Sequence, residues 1–134
     1  MTDDRKTIAE ALEQTRTIAV IGMREHGAAA YVPQYMEDAG YDVTPVNPVL
    51  ATVFGKPALD SLDDLPGPID MVTVFRRSED VPGHLDEILR AKPRYVWMQS
   101  GIRSDAVADK LAAAGIKVVQ DRCLMVEHRR LSPA

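Results

Sequence analysis

One cysteine, Cys123, stands in the 134 residues, so no disulfide can form within the chain and no cysteine metal cluster can be assembled. The three histidines, His26, His84 and His128, share no metal-ligand spacing. No apolar run approaches the ~20 residues that a membrane-spanning helix needs. Basic charge is in deficit as well: 16 Lys and Arg against 20 Asp and Glu leave −4 at pH 7. Nucleic acid and anionic membrane surfaces both want a basic face, so neither is an expected partner. One phosphorylated ligand held by a few local donors remains compatible with that balance. The first sixteen residues mix acids with bases and have the pattern of neither a signal nor a transit peptide, and a cytoplasmic protein is expected. Sequence repeats, linkers and low-complexity tracts are absent too.

Several signatures of chemistry are missing in the same way. No Gly-x-Gly-x-x-Gly follows the first apolar strand, and no Gly-Lys-Ser/Thr follows any strand. Neither a Gly-x-Ser-x-Gly elbow nor a His-Glu-x-x-His occurs. Nothing sets a nucleophile beside a base at a recognisable local spacing, so no catalytic residue and no metal ligand is assigned.

What is present is a regular alternation of elements. Five short apolar segments, Thr17–Ile21, Asp42–Val46, Asp70–Phe75, Arg94–Met98 and Ile116–Val119, hold consecutive β-branched or aromatic residues. That is the pattern of strands covered on both faces. Their starts lie roughly 25 residues apart, room for one crossover helix each. Ile8, Ala11 and Leu12 share a helical face, so a helix over about Asp4–Gln14, capped by Thr2 or Asp3, precedes the first strand. Ala28–Ala39 ends at Gly40; Pro33 is tolerable only in a first turn, which moves the helix start to about Tyr31 or Val32 and leaves Met23–Ala30 as a loop. Ser78–Arg90 presents Val81, Leu85, Ile88 and Leu89 on one side, with His84 exposed mid-helix, and Ser104–Ala114 ends at Gly115. Ala51–Leu65 reads as a loop with one helical turn after Ser61. The expected architecture is one Rossmann-like, doubly wound α/β domain: a mainly parallel five-stranded sheet, helices on both faces, and the segment 1–16 packed on it as an N-terminal helix.

In such sheets ligands bind beyond the carboxyl ends of the strands. The residues there are Gly22-Met23-Arg24, Asn47-Pro48, Phe75-Arg76-Arg77, Gln99-Ser100-Gly101 and Asp121-Arg122-Cys123. Free N–H groups of the helix after Gly22, joined by Arg24, Arg76 and Arg77, would make a phosphate site. Plainer roles stand beside each. Gly22 can serve a tight turn, Asn47-Pro48 can be a turn, Gln99 can cap a helix, and Phe75 reads first as core. One of Arg76 and Arg77 is expected to pair with Glu79, Asp80 or Glu87. An NAD-binding fold needs a carboxylate at the tip of its second strand; here that tip offers Asn47, and Asp42 sits at the other end of the strand. The pattern suits a nucleotide other than NAD, and it requires that the three arginines converge on a rim free of carboxylates.

Six motifs then fall in a familiar order: Ile18-Ala19-Val20-Ile21-Gly22; Tyr31-Val32-Pro33; Gly40-Tyr41 with Pro45-Val46-Asn47-Pro48; Asp70-Met71-Val72 with Val74-Phe75-Arg76; Val96-Trp97-Met98-Gln99-Ser100-Gly101-Ile102; and Asp121 to His128. Together they resemble the small stand-alone CoA-binding domain family, itself similar to the N-terminal CoA-binding domain of the succinyl-CoA synthetase alpha chain. The resemblance covers about Thr17 to Leu131. It implies coenzyme A at the strand ends, with Gly22, Met23 and Arg24 facing phosphates. Pro45, Asn47 and Pro48 would line the ribose and adenine side, and Phe75, Arg76 and Gln99 the pantetheine groove. A carboxylate at the second strand tip would repel the 3′-phosphate of CoA, whereas an amide is tolerated. The chain departs from the family in its short first loop, Glu25-His26-Gly27-Ala28-Ala29-Ala30, which carries an acid where family members commonly have an Arg-Pro pair. The phosphorylated histidine of the synthetases lies in a further domain that these residues do not contain.

The expected function is a non-catalytic module that binds CoA or an acyl-CoA. An NAD(P)-binding oxidoreductase or redox-sensing domain, with a 2′-phosphate on Arg76 or Lys56, is an alternative; so is a docking subunit of an acyl-CoA ligase. Arg122 beside Cys123 would favour a thiolate able to form a mixed disulfide with the CoA thiol, against the commoner role of a partly buried structural cysteine. Glu127–Arg130 reads either as a short helix packing back on the sheet or as a contact in a homodimer.

Overall fold

Residues 4–131 are described by the computed structural model, so a cap from Thr2 or Asp3 lies outside the described residues. In chain order the elements are α1 (Asp4–Gln14), β1 (Thr17–Ile21), α2 (Ala28–Asp38), β2 (Asp42–Val46), β3 (Thr52–Val53), β4 (Lys56–Pro57), β5 (Met71–Val74), α3 (Leu85–Ala91), β6 (Tyr95–Met98), α4 (Asp105–Ala113), β7 (Lys117–Val119) and α5 (Leu124–Leu131). Five strands form one sheet in the order β2-β1-β5-β6-β7, parallel at every pairing.

Strand alternation divides the core in two. Ile18, Val20, Met71, Tyr95 and Trp97 point to one face and pack with Ile8, Ala11 and Leu12 of α1, Val32 and Met36 of α2, and Leu124 of α5. Their neighbours Ala19, Ile21, Val72, Val74, Val96 and Met98 point to the other and pack with Ile88, Val107 and Leu111 of α3 and α4. Because both faces are covered, the inner strands β1, β5 and β6 read as almost unbroken apolar runs. The doubly wound sheet expected from the sequence is the one observed.

The amino ends of β1 and β5 are tied by Asp70. Its Oδ2 accepts the N–H groups of Arg16 and Thr17 at 2.9 and 3.1 Å, and Thr17 Oγ1 accepts the Asp70 N–H at 2.9 Å. Partial burial pushes the Asp70 carboxyl up, but the two backbone donors, the Thr17 hydroxyl and Arg94 outweigh it and hold the group below the usual carboxylate range.

Four local expectations need correction. The helix α2 starts at Ala28, with Pro33 in its second turn. Pro33 has no N–H to give the Ala29 carbonyl, and Arg24 N–H takes that carbonyl instead at 3.1 Å, so the proline leaves no orphan acceptor. Ser78–Arg90 is two elements, a 3-10 segment over Ser78–His84 and then α3, because Pro82 and Gly83 interrupt it. His84 there is not an exposed mid-helix residue. It is half-buried at the junction and meets Glu87 at 2.5 Å. Within Ala51–Leu65 the chain makes the hairpin β3–β4 before the helical turn Leu62–Asp64. Its two-residue turn is Phe54-Gly55, both at positive φ, the geometry that suits right-twisted strands.

The segment after Cys123 forms α5, which packs on α1 and α2 and lays His128 Nδ1 2.8 Å from the Tyr35 hydroxyl. Cys123 itself is half-buried against the same core cluster.

Candidate functional site

The order β2-β1-β5 puts a topological switch point between β1 and β5. The helix after β1 crosses to one face, and the connection after β5 crosses to the other. A crevice opens above the carboxyl ends of these two strands, where such sheets hold ligands. It measures about 730 Å³. One wall is the loop and first turn of α2, with Arg24, His26 and Gly27 to Ala29; the second is Phe75, Arg76, Arg77 and Asp80; the third is Ser100 to Ile102. A recess of about 340 Å³ adjoins it beyond the loop, bordered by Asn47, Val49, Leu50 and Glu25, and shares Arg24, His26 and Arg76 with it.

Gly22 lies beneath this crevice. Its φ is +83°, and a Cβ there would sit 2.4 Å from the Phe75 carbonyl oxygen and 3.2 Å from Arg76 Cδ. The glycine therefore serves close approach of the β1 and β5 tips as well as the turn. From this turn the chain runs to Gly27, φ +71°, which starts α2 without any side-chain cap. The positive end of α2 consequently faces the crevice with its first amides uncovered by a side chain.

Around this frame the arginines divide. Arg77 pairs with Glu79 at 3.5 Å and Asp80 at 3.4 Å, the surface role foreseen for one of the pair. Arg76 differs: its Nε is buried and has no hydrogen-bond partner among the described residues. The expectation of a rim free of carboxylates fails, since Asp80 and Glu25 both stand on it. Each is engaged, Asp80 by Arg77 and Glu25 Oε2 by the Phe54 N–H at 2.9 Å. Arg24 and Arg76 remain as the fixed cations facing the cavity.

The other expected residues fall into two groups. Phe75 is half-buried, packs on the core and still lines the crevice. Asn47 is only 8% exposed; its Nδ2 donates to the Met23 carbonyl at 3.0 Å and its Oδ1 accepts the Val49 N–H at 2.9 Å. It fastens the β2 tip to the loop after β1 while bordering the recess. Pro48, next to it, is exposed. Met23, Pro45 and Gln99 are buried instead of bordering the cavity. The Met23 side chain is in the core, and the Pro45 carbonyl accepts Leu59 N–H at 3.0 Å. Gln99, 3% exposed, donates from Nε2 to Thr73 Oγ1 at 3.0 Å and accepts Leu124 N–H at 3.3 Å. Cys123 is not among the residues lining the crevice. His26 carries no metal-ligand spacing in the sequence, and its place between an apolar strand and a helix start was the signal that could have marked it. Among the described residues no group of three or more His, Cys, Asp or Glu is placed to hold a metal ion. No helix among them is long and apolar enough to cross a membrane.

Known proteins resemble this chain over nearly all of its length. The family described as "CoA binding domain" matches residues 16–129. The uncharacterized protein YneT of Bacillus subtilis is 38% identical over 123 residues, covering 90% of this chain and 91% of its own. A solved Thermus thermophilus protein, cell-free ID.343, is 45% identical with a TM-score of 0.90, covering 98% of this chain and 100% of that one. The dinucleotide-forming acetyl-coenzyme A synthetase 1 of Ca. Korarchaeum cryptofilum shares the fold, at 18% identity and a TM-score of 0.68, over 82% of this chain and 26% of its own.

Proposed function

The chain belongs to the CoA binding domain family, and on that premise we propose that it binds coenzyme A or an acyl-CoA in the crevice above β1 and β5, as a module without chemistry of its own. The observation that carries the reading is the Arg76 Nε–H, buried and unpartnered on the crevice wall. A buried donor without an acceptor costs about 1–3 kcal/mol, more for a charged group. The Arg76 side chain lines the crevice, and a turn of the guanidinium brings this donor to an anionic ligand, which removes that cost by accepting the hydrogen bond. Phosphate is the fitting acceptor, because the positive end of α2 and Arg24 border the same space.

In this reading Arg24, Arg76 and the first amides of α2 receive the diphosphate. Gly22 lets the β1 and β5 tips close beneath it. Phe75 and Ser100 to Ile102 line the pantetheine arm, and the recess beside Asn47, Val49 and Leu50 receives the adenosine end. Met23, Pro45 and Gln99 contribute by holding the walls rather than by touching ligand. The free thiol or acyl group leaves through the open crevice, which suits a carrier or sensor. A cytoplasmic location accords with a phosphorylated cofactor of that kind.

Calorimetric titration with CoA, NAD and NADP tests this. CoA is expected to bind and NAD to give negligible heat. Arg76→Gln removes one charged contact worth about 1.5–3 kcal/mol, so affinity falls roughly ten- to a hundredfold with an unchanged circular dichroism spectrum. Negligible heat from CoA overturns the proposal, and tighter binding of NADP than of CoA replaces it with the NAD(P) alternative.

A further inference from the structure

His26 lies where the crevice and the recess meet, bordering both together with Arg24 and Arg76. The charges that face it are known from every side. Its own loop supplies Arg24 and Glu25, the β5 tip supplies Arg76, the turn after it supplies Arg77 and Asp80, and α2 supplies its positive end. The β2 tip and the Ser100–Ile102 wall contribute no charged group. Most of these charges are committed: Glu25 to the Phe54 N–H, Arg77 and Asp80 to one another. Arg24 and Arg76 are fixed cations. His26 is exposed, has no hydrogen bond or ion pair to the described residues, and is the one member of the set with an imidazole ring.

We propose that His26 is the proton-linked member of this anion site, so that a phosphorylated ligand and a proton on the His26 ring bind cooperatively. The inference deepens the CoA reading and rests on it. A phosphate group held between Arg24 and Arg76 stabilises the imidazolium over the neutral ring by direct charge attraction. Ligand binding therefore draws a proton onto His26, and by linkage the proton tightens the ligand. The sign follows: the extra affinity is fully present on the acid side of the histidine range and is lost as pH rises through it. The loop thus gains a second base beside Arg24 only when His26 is protonated.

The test is calorimetry of CoA against the wild type and His26→Gln between pH 6 and 8, each at two buffer ionisation enthalpies to count protons. The ligand's 3′-phosphate ionises near 6 as phosphate monoesters do, so the titrations are repeated with dephospho-CoA, which lacks that group. The difference between the two profiles therefore reads His26. The wild type is expected to take up more protons than the variant on binding. The ratio of their affinities should reach roughly three- to tenfold at pH 6 and should shrink toward pH 8. CoA binding with parallel profiles for the two proteins overturns this inference and leaves the CoA reading standing. Failure of the wild type to bind CoA at any pH overturns both.

Discussion

Two glycines share a positive φ and differ in their surroundings, which makes them a controlled pair. Gly22 has φ +83° and Gly115 has φ +84°. An added Cβ at Gly115 meets nothing within 4 Å, whereas at Gly22 it meets the Phe75 carbonyl oxygen at 2.4 Å. Gly115→Ala should therefore cost only the left-handed conformation of an L-residue, about 1–2 kcal/mol. Gly22→Ala bears the same cost and must also part β1 from β5 by roughly 1 Å to reach an ordinary contact distance. Such overpacking adds about 1–3 kcal/mol, and it strains the bond from Phe75 N–H to the Ile21 carbonyl, now 2.9 Å. Urea unfolding followed by circular dichroism should thus place Gly22→Ala about 1–3 kcal/mol below Gly115→Ala. Arg76 Cδ lies 3.2 Å from the same Cβ, so Gly22→Ala should also weaken CoA binding while Gly115→Ala leaves it intact. Equal stabilities for the two variants would refute the claim that the strand tips require glycine for contact as well as for conformation.

Further expectations concern the two ends of the sheet. Asp70 has its carboxyl held below the usual range, so its contribution is present above the unfolded-state value near 3.9 and fades as pH falls through the lower native one. The stability gap between wild type and Asp70→Asn should accordingly narrow from pH 6 to pH 3 in thermal melts; a gap independent of pH would count against the clamp. Asn47→Ala leaves the Met23 carbonyl and the Val49 N–H without their partner. It should cost about 1–3 kcal/mol in urea unfolding, and a neutral result would mean that the β2 tip is fastened by other groups.

Local chemistry was enough for most of the architecture. β1 was legible to the residue, because a strand buried on both faces is written as a continuous apolar run; β2, Asp-Val-Thr-Pro-Val at the sheet edge, was legible from its β-branched residues between Gly40 and Asn47-Pro48. α4 was legible for a similar reason: Ser104 accepts the Val107 N–H as its cap, and Gly115 ends it. The start of α2 was not legible, since tolerance of Pro33 depends on Arg24, nine residues earlier, reaching the freed Ala29 carbonyl. The hairpin β3–β4 was hidden by Phe54, a residue seldom placed at positive φ where Asn or Asp is usual. The amides at the strand tips were identified as polar groups of interest, but Asn47 and Gln99 spend their hydrogen bonds inside the fold.

By itself, the order of residues determined a parallel doubly wound sheet and the ends of the strands at which polar groups gather, because hydrophobic periodicity and glycine placement act over a few neighbouring positions. Only the packed molecule decided which of those polar groups are left over. Arg77 finds carboxylates in the turn that follows it, Gln99 finds Thr73 on the adjacent strand, and the Arg76 Nε is left without an acceptor among the described residues. Whether a donor is satisfied depends on atoms within about 3 Å; for Arg77 near neighbours supply them, but for Gln99 they come from a segment 26 residues away.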